Sequence, residues 1–301
     1  MLNEDAQYNS SAPPELGEIL SSLWSFKIYI IILSVVAAVI STFVAINTPN
    51  IYRAETLLAP TEDLQGQNND MGSQLGGLAS LAGFGSLDSK GFKTDVAQAK
   101  ILTKDFLYAF IDKHDLLVSI LAVESWNKMS KEVTYDSDVY DIETKSLILP
   151  EGVSSHWLAY ITITENLVIS KANGGLINIS YEHPSPEIAQ YIVENIIKDI
   201  NELMQNFDVE QANKSIQYLN EKLIQTNIAD MRAVFYRLIE EQMKNKMLTE
   251  IKSEYIFTTI DPALVPEEKA GPRRALIIIV SIILAGIFGS FIGLIRFYRS
   301  R

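Results

Sequence analysis

The stretch that decides the fold is SPEIAQYIVENIIKDINELMQNF, Ser185 to Phe207. Serine is a favourable N-cap, Pro186 suits the first helical position, and Glu187 places an acid in the first turn. The apolar residues then recur at steps of four or three, which predicts a helix with one buried face. They are Ile188, Ile192, Ile196, Ile200, Leu203 and Phe207.

This helix continues over a long distance without a breaking residue. No proline or glycine occurs from residue 187 to Glu254, so up to 69 residues, 186–254, are compatible with helix, roughly 100 Å of length. The regular spacing of the apolar residues is interrupted between Phe207 and Ala212 and again between Leu223 and Ile228. Each interruption marks a candidate break in the helix. Because a strand pattern, EYIFTTI, follows and must lie near the second apolar segment, we predict a helical hairpin extension over 186–253 that goes out and returns.

The chain on either side of the extension predicts a mixed α/β base, residues 47–183 and 254–264. NIYRAETLLAP reads as a strand, SSHWLAYITI as a capped helix, and NLVISKANGGLINISYE as two strands joined by an Asn-Gly-Gly turn. The spacing from Thr94 to Ile111 predicts one helix that fades at DKHD, followed by an irregular stretch that contains the acidic run YDSDVYDIE.

Two uncharged segments enclose this middle region. Ile28–Ile46 has 19 residues and Ala275–Ile295 has 21, within the range of about 17–25 that a membrane-spanning helix needs. A secretory signal is an alternative for the first segment, but no convincing cleavage site follows it. We therefore expect transmembrane helices at 28–46 and 275–295, with tails at 1–27 and 296–301.

Charge indicates the orientation of these helices and excludes one class of partner. Basic residues beside the helices favour the tail side by four to three, and RFYRSR at the C-terminus places both termini in the cytoplasm and the middle segment, 47–274, in the periplasm. The net charge of −12 makes nucleic acid an unsuitable partner. The absence of cysteine excludes disulfides and thiolate metal sites.

A segment rich in Gly, Ser and Asn follows the first predicted strand, from Glu62 to Gly91. It reads either as a mobile surface loop or as a segment that becomes ordered against neighbouring subunits. Its interior, LGGLASLAGFG, is small and apolar, so we expect it at an interface or lumen. The candidate residues are Gly72, Gly76, Gly77, Gly83 and Gly85.

Small residues also line one face of each apolar segment. Gly286, Gly289, Ser290 and Gly293 share a face of the second, and Ala37, Ser41 and Ala45 share a face of the first. Small residues let membrane helices approach closely, which predicts helix pairing. The alternative is that glycine is simply common in membrane helices.

The sequence contains no recognisable catalytic constellation. There is no Walker phosphate loop, and the three histidines, at 114, 156 and 183, are dispersed without a metal-binding spacing. DKHD, Asp112 to Asp115, reads as a solvated helix end and not as a metal site. We therefore expect no catalytic, cofactor-binding or metal residues, no cofactor, and a protein that is not an enzyme.

The chain resembles the Wzz-type chain-length determinants, the kinase-less polysaccharide co-polymerases of bacterial inner membranes. Three blocks carry the resemblance, in the family's order: LSSLWSFKIYIIILSVV with IYRAETLLAP, GLINISYEHPSPEIAQYIVENIIKDIN, and the region from YLNEKLIQTNIADMRAVF to EYIFTTIDPALVPEEKAGPRRALIIIV. The resemblance implies an α+β membrane protein, with two transmembrane helices flanking a periplasmic α/β base and a long helical hairpin, assembled into a ring- or bell-shaped homo-oligomer.

The family's proline-rich and glycine motifs map onto specific positions here. The resemblance assigns them as motif and partner-contact candidates: Pro262, Pro266, Pro272, Arg273, Arg274, Gly286, Gly289 and Gly293. A further proline often found in the linker 261–274 is absent, and Lys269 occupies that region. This departure predicts a less rigid linker.

The resemblance implies a regulator of polysaccharide length, acting with a polymerase on undecaprenyl-linked glycan in the inner membrane. The leading hypothesis is control of the modal length of O-antigen or a related surface polysaccharide. The alternative is a capsule or exopolysaccharide export component that works with a separate tyrosine kinase and an outer-membrane exporter. A two-span sensor is disfavoured, because the two tails leave no room for an output domain.

Overall fold

The structure is a computed structural model in which residues 24, 26–61 and 92–300 are described. The chain divides into two compact units, one formed by Met1–Pro49 with Gly271–Arg301 and the other by Asn50–Ala270. Most of the predicted N-terminal tail, and all five glycines predicted for the interface or lumen loop, lie outside the described residues.

The larger unit contains most of the elements. In chain order they are β1 (Tyr52–Pro60), α2 (Phe92–Ile101), α3 (Lys104–Lys113), α4 (Leu117–Leu121), β2 (Val123–Trp126), β3 (Val133–Tyr135), β4 (Tyr140–Asp141), β5 (Ser146–Leu147), α5 (Ser155–Asn166), β6 (Leu167–Lys171), β7 (Ile177–His183), α6 (Pro186–Gln225), α7 (Ala229–Ile251) and β8 (Phe257–Asp261). Among the described residues of the smaller unit, the helices are α1 (Lys27–Asn47) and α8 (Arg274–Ser300).

A four-stranded antiparallel sheet in the order β6-β7-β1-β8 forms the centre of the larger unit. In β1, Ala54, Thr56 and Leu58 are buried while Arg53 and Glu55 are exposed, the two-residue alternation of a strand with one covered face. Leu58 pairs with Ile177 of β7 and with Thr259 of β8, so strands far apart in sequence meet on β1. The strands predicted near residues 52, 167, 177 and 257 are therefore all present.

The first half of α6 covers this sheet and provides much of the core. Its buried apolar residues step by three or four, as the predicted periodicity requires. They include Ala189, Ile192, Val193, Ile196, Ile200 and Met204. Ser185 is the N-cap, and its side chain accepts a hydrogen bond from the Ile188 backbone nitrogen.

The helical hairpin extension is confirmed, with one of the two predicted breaks. α6 ends at Gln225 and α7 begins at Ala229, and residues between them have extended backbone angles. The break predicted between Phe207 and Ala212 is wrong, because α6 is continuous there. The spacing of the apolar residues shifts at that point because the helix packs against different elements on either side of it. Its first half packs on the sheet, and its second half packs against α7.

Two predictions for residues 94–150 need correction. The single helix expected over 94–111 is two helices, α2 and α3, because Thr103 adopts an extended backbone and caps α3 by accepting a hydrogen bond from the Phe106 nitrogen. The stretch expected to be irregular contains α4 and two short hairpins, β2-β3 and β4-β5. The strands in these hairpins have only two to four residues, too few for alternation to be visible in the sequence.

The described part of the smaller unit contains two apolar helices packed against each other. Both α1 and the segment Arg274–Arg296 of α8 are long and apolar enough to cross a membrane. The predicted fold class is therefore confirmed: a mixed helix and sheet protein with two candidate membrane-spanning helices at its ends and a helical hairpin. The exact division of the larger unit into base, extension and linker stays a prediction.

Candidate functional site

The segment after β8 contains the first predicted motif residues, and hydrogen bonds hold it against other elements of the larger unit. Ala263, between Pro262 and Pro266, is buried, and its carbonyl accepts a hydrogen bond of 3.1 Å from the Gln190 side chain of α6. Further along, the Ala270 backbone nitrogen donates to the Ile51 carbonyl at 2.8 Å. Hydrogen bonds to neighbouring elements therefore restrict this segment in addition to its prolines.

Lys269, between Pro266 and Pro272, also holds this segment in place. Its ammonium group lies 3.3 Å from the side-chain oxygen of Asn50. The carbonyl of Glu267 accepts a weaker contact, 3.4 Å, from the ammonium group of Lys128. Side-chain contacts thus hold the segment between Pro266 and Pro272.

Pro272, Arg273 and Arg274 belong to the smaller unit, at the start of α8. The Arg274 guanidinium donates to the carbonyl of Thr48, which follows α1, at 3.2 Å. This bond ties the end of α1 to the beginning of α8, while Arg273 is exposed. Two arginines at the end of an apolar helix are suited to the headgroup region of a bilayer.

The three motif glycines all lie on the face of α8 that meets α1. A Cβ atom placed on Gly289 would lie 3.4 Å from the Ile30 Cα, one on Gly293 would lie 3.6 Å from the Phe26 side chain, and one on Gly286 would lie 3.9 Å from the Ser34 Oγ. The two helices are therefore antiparallel and in close contact, as the small residues predict. Ser41 and Ala45 of the predicted face of α1 are buried.

This packing determines which faces of the two helices remain open. Many of the other apolar side chains of α1 and α8 are more than half exposed, among them Val39, Phe43, Ile283 and Phe288. In a bilayer they would contact lipid or another protein. Since the glycine face is covered by α1, a partner of these helices would meet the outer faces.

The hairpin also presents apolar side chains to solvent. None of the residues of α7 is buried, although the helix carries many large apolar groups. Four of them share one flank at helical spacing and are 53–78% exposed: Tyr236, Met243, Met247 and Ile251. A soluble surface rarely keeps such a stripe open, so it marks a contact surface.

The DKHD motif, predicted to be a solvated helix end, is in fact docked on α6. Lys113 and His114 contact the two carboxylate oxygens of Asp199 at 3.0 and 2.9 Å. Hydrogen bonds to Glu202 and then to Asp199 raise the pKa of Lys113. Sequence spacing did not reveal this cluster, because its partners are more than 80 residues apart. Within the described ranges, no group of three or more His, Asp or Glu residues is arranged to hold a metal ion.

A family comparison identifies the N-terminal third of the chain. The model described as Wzz, chain length determinant protein, matches residues 15–114. The family recognised from the sequence is thereby confirmed for this segment. The Wzz match includes α1, β1, α2 and α3, whereas the proline-rich linker and the glycine motif lie beyond it.

Solved structures with polysaccharide co-polymerase titles align with the chain. A full-length bacterial polysaccharide co-polymerase is 15% identical with a TM-score of 0.38, and the alignment covers 95% of this chain and 98% of that chain. A fragment of WzzB, a polysaccharide co-polymerase from Salmonella Typhimurium, is 11% identical with a TM-score of 0.31, covering 74% of this chain and 100% of that chain. A search of curated proteins found no match.

Proposed function

We propose that the chain is a non-catalytic regulator of the length of a surface polysaccharide, most specifically the modal length of O-antigen. The observation that carries this proposal is the Wzz chain length determinant match over residues 15–114. The two apolar helices support it, because they would anchor the domain between them in the inner membrane. The basic residues of the C-terminal tail favour cytoplasmic termini and a periplasmic domain.

The regulator acts as a homo-oligomeric scaffold. The exposed stripe on α7 supports self-association, since burying it between protomers would remove large apolar side chains from water. The open faces of α1 and α8 would contact the polysaccharide polymerase, and the fastened linker after β8 would position the domain that meets the undecaprenyl-linked glycan. In this role the motif prolines and arginines hold the scaffold's geometry and take no part in chemistry.

Deleting the gene and displaying the surface polysaccharide on a gel tests the proposal. We expect the polymer to persist but its modal length cluster to be lost, and the cluster to return when the intact gene is supplied. Complete loss of the polymer would instead support the export role with a separate kinase. An unchanged ladder would refute both roles.

A further inference from the structure

A polar cleft lies at the root of the hairpin, between α6 and α7. Its volume is about 510 Å³, and it extends from Lys93 on α2 to Lys252 and Tyr255 after α7. This size falls within the range of about 300–1,000 Å³ that is usual for small-molecule sites. The cleft is separate from the linker and glycine positions discussed above.

Several amide side chains in the cleft are available to bind a ligand. Gln211 of α6 and Gln242 and Asn245 of α7 line it, and within the described part of the chain their side-chain amides form no hydrogen bond. An amide offers both donors and an acceptor, which matches the hydroxyl groups of a sugar, whereas a phosphate only accepts. The hydroxyl of Ser215 adds a further group of the same kind.

The charge of the cleft is opposite to that of the chain. Three lysines and a single carboxylate, Asp208, line it, although the whole chain has a net charge of −12. The carboxylate is neutralised, because it accepts hydrogen bonds from the Lys93 ammonium at 2.9 Å and from the Tyr255 hydroxyl. Lys246 is 3.7 Å from Glu250, while Lys252 forms no ion pair in the described ranges.

We propose that this cleft binds a segment of an anionic polysaccharide, with Lys252 receiving a sugar carboxylate and the amides of Gln211, Gln242 and Asn245 binding its hydroxyl groups. The contacts of Asp208 with Lys93 and Tyr255 hold the elements that form the cleft together. The inference rests on the proposed function and deepens it, because it assigns the place on the domain where the glycan binds.

Binding is tested with the full-length protein in nanodiscs, which avoid the sugar headgroups of maltoside detergents. The probe is a hexamer of galacturonic acid, with maltohexaose as its neutral counterpart, and calorimetry measures the affinity. We expect the acidic hexamer to bind more tightly and raised salt to weaken it. Lys252→Gln and Gln242→Ala should each weaken it at least about tenfold, as expected for loss of a hydrogen bond to a charged or buried group.

Lys244→Gln is the matched control, because Lys244 lies on α7 two turns before Lys252, is exposed and does not line the cleft. The proposal is overturned if the acidic hexamer does not bind, if maltohexaose binds equally well, or if the control loses as much affinity as Lys252→Gln. It is also overturned if Lys252→Gln changes only the size of the oligomer, because the cleft would then be covered by another copy. The gel experiment on modal length can succeed or fail independently of each of these outcomes.

Discussion

At the scale of single residues, His183 connects three parts of the base. It is 3% exposed at the end of β7, and its Nδ1 accepts a hydrogen bond from the Ser185 nitrogen at 3.0 Å. Its Nε2 therefore carries the proton and donates to the Ser119 carbonyl of α4 at 2.9 Å. Protonation of Nδ1 would remove the acceptor that holds the N-cap of α6 in place.

This arrangement predicts a loss of stability in acid. Burial lowers the pKa of His183 to about 4, from 6.5 in the unfolded chain. Because the unfolded state takes up a proton first, the stabilisation is complete above pH 6.5 and is lost as the pH falls towards 4, by about 3 kcal/mol in total. Denaturant unfolding at several pH values should show a shallower decline for His183→Gln than for the wild type.

His156→Gln is the control for the substitution itself, because that imidazole is about one-third exposed and pairs with the exposed Asp112. It should change the free energy of unfolding at pH 7 by less than about 1 kcal/mol. Equal slopes for the wild type and His183→Gln between pH 6.5 and 4 would contradict the assignment.

Asn201 of α6 is a second residue on which the base depends. Its side chain is buried, accepts hydrogen bonds from the backbone nitrogens of Ile256 and Phe257 at 2.9 Å, and donates to the Phe257 carbonyl at 3.0 Å. Asn201→Ala leaves buried backbone groups without these bonds and should lower the free energy of unfolding by about 3 kcal/mol.

Asn195→Ala provides the comparison, because among the described residues that side chain bonds only to the Tyr191 carbonyl one turn away. It should lower the unfolding free energy by less than about 1 kcal/mol. Similar losses for the two variants, measured by denaturant unfolding, would show that Asn201 does not hold the edge strand β8.

At the scale of elements, the contact between α1 and α8 depends on glycine. An alanine methyl at Gly289 just fits, because its Cβ would lie 3.4 Å from the Ile30 Cα and the Leu33 side chain. A leucine would overlap the backbone of α1, at an expected cost of about 1–3 kcal/mol. Gly289→Leu should therefore separate the helices, whereas Gly289→Ala should leave them paired.

The absence of cysteine allows a direct measurement of this pairing. The Ser34→Cys and Gly286→Cys pair should form a disulfide within one chain, since a Cβ at Gly286 lies 3.9 Å from the Ser34 Oγ. Adding Gly289→Leu should reduce the yield severalfold, and adding Gly289→Ala should not. An unaffected yield with leucine would mean that this close approach is not required.

The elements also show what local sequence can and cannot predict. The spacing of Ile192, Ile196 and Ile200 predicted the helix that covers the sheet, because periodicity records a buried face directly. The shift in apolar spacing after Phe207 was wrongly interpreted as a break in the helix. A change in the element against which a helix packs shifts the spacing of its buried residues in the same way as a break does. The contact of His114 with Asp199 was missed because it joins two helices distant in sequence.

At the scale of the whole molecule, the partner contacts were the least predictable part. The motif glycines were candidates for contact either with a polymerase or with the neighbouring membrane helix, and in the structure they face α1. Sequence identifies a small-residue face but does not say which helix covers it. The same reasoning makes α7 informative, because none of its residues is buried by the part of the chain that the structure describes.

Self-association through α7 predicts a matched pair of variants. Met243 and Met247 are 53% and 60% exposed on one flank of the helix, and Met129 is 98% exposed on a turn between β2 and β3. Placing glutamate at both Met243 and Met247 puts charges in the proposed interface, which disfavours assembly because unpaired charge is costly to bury. Light scattering of the membrane-extracted protein should show a smaller oligomer, and the polysaccharide gel should lose its modal cluster.

Met129→Glu adds the same kind of charge away from this flank and should leave both the oligomer and the cluster intact. Because the α7 positions are exposed within one chain, the double variant should keep the wild-type unfolding midpoint of the monomer. An oligomer of unchanged size would refute the α7 interface. A smaller oligomer with an intact cluster would show that assembly through α7 is separable from length control.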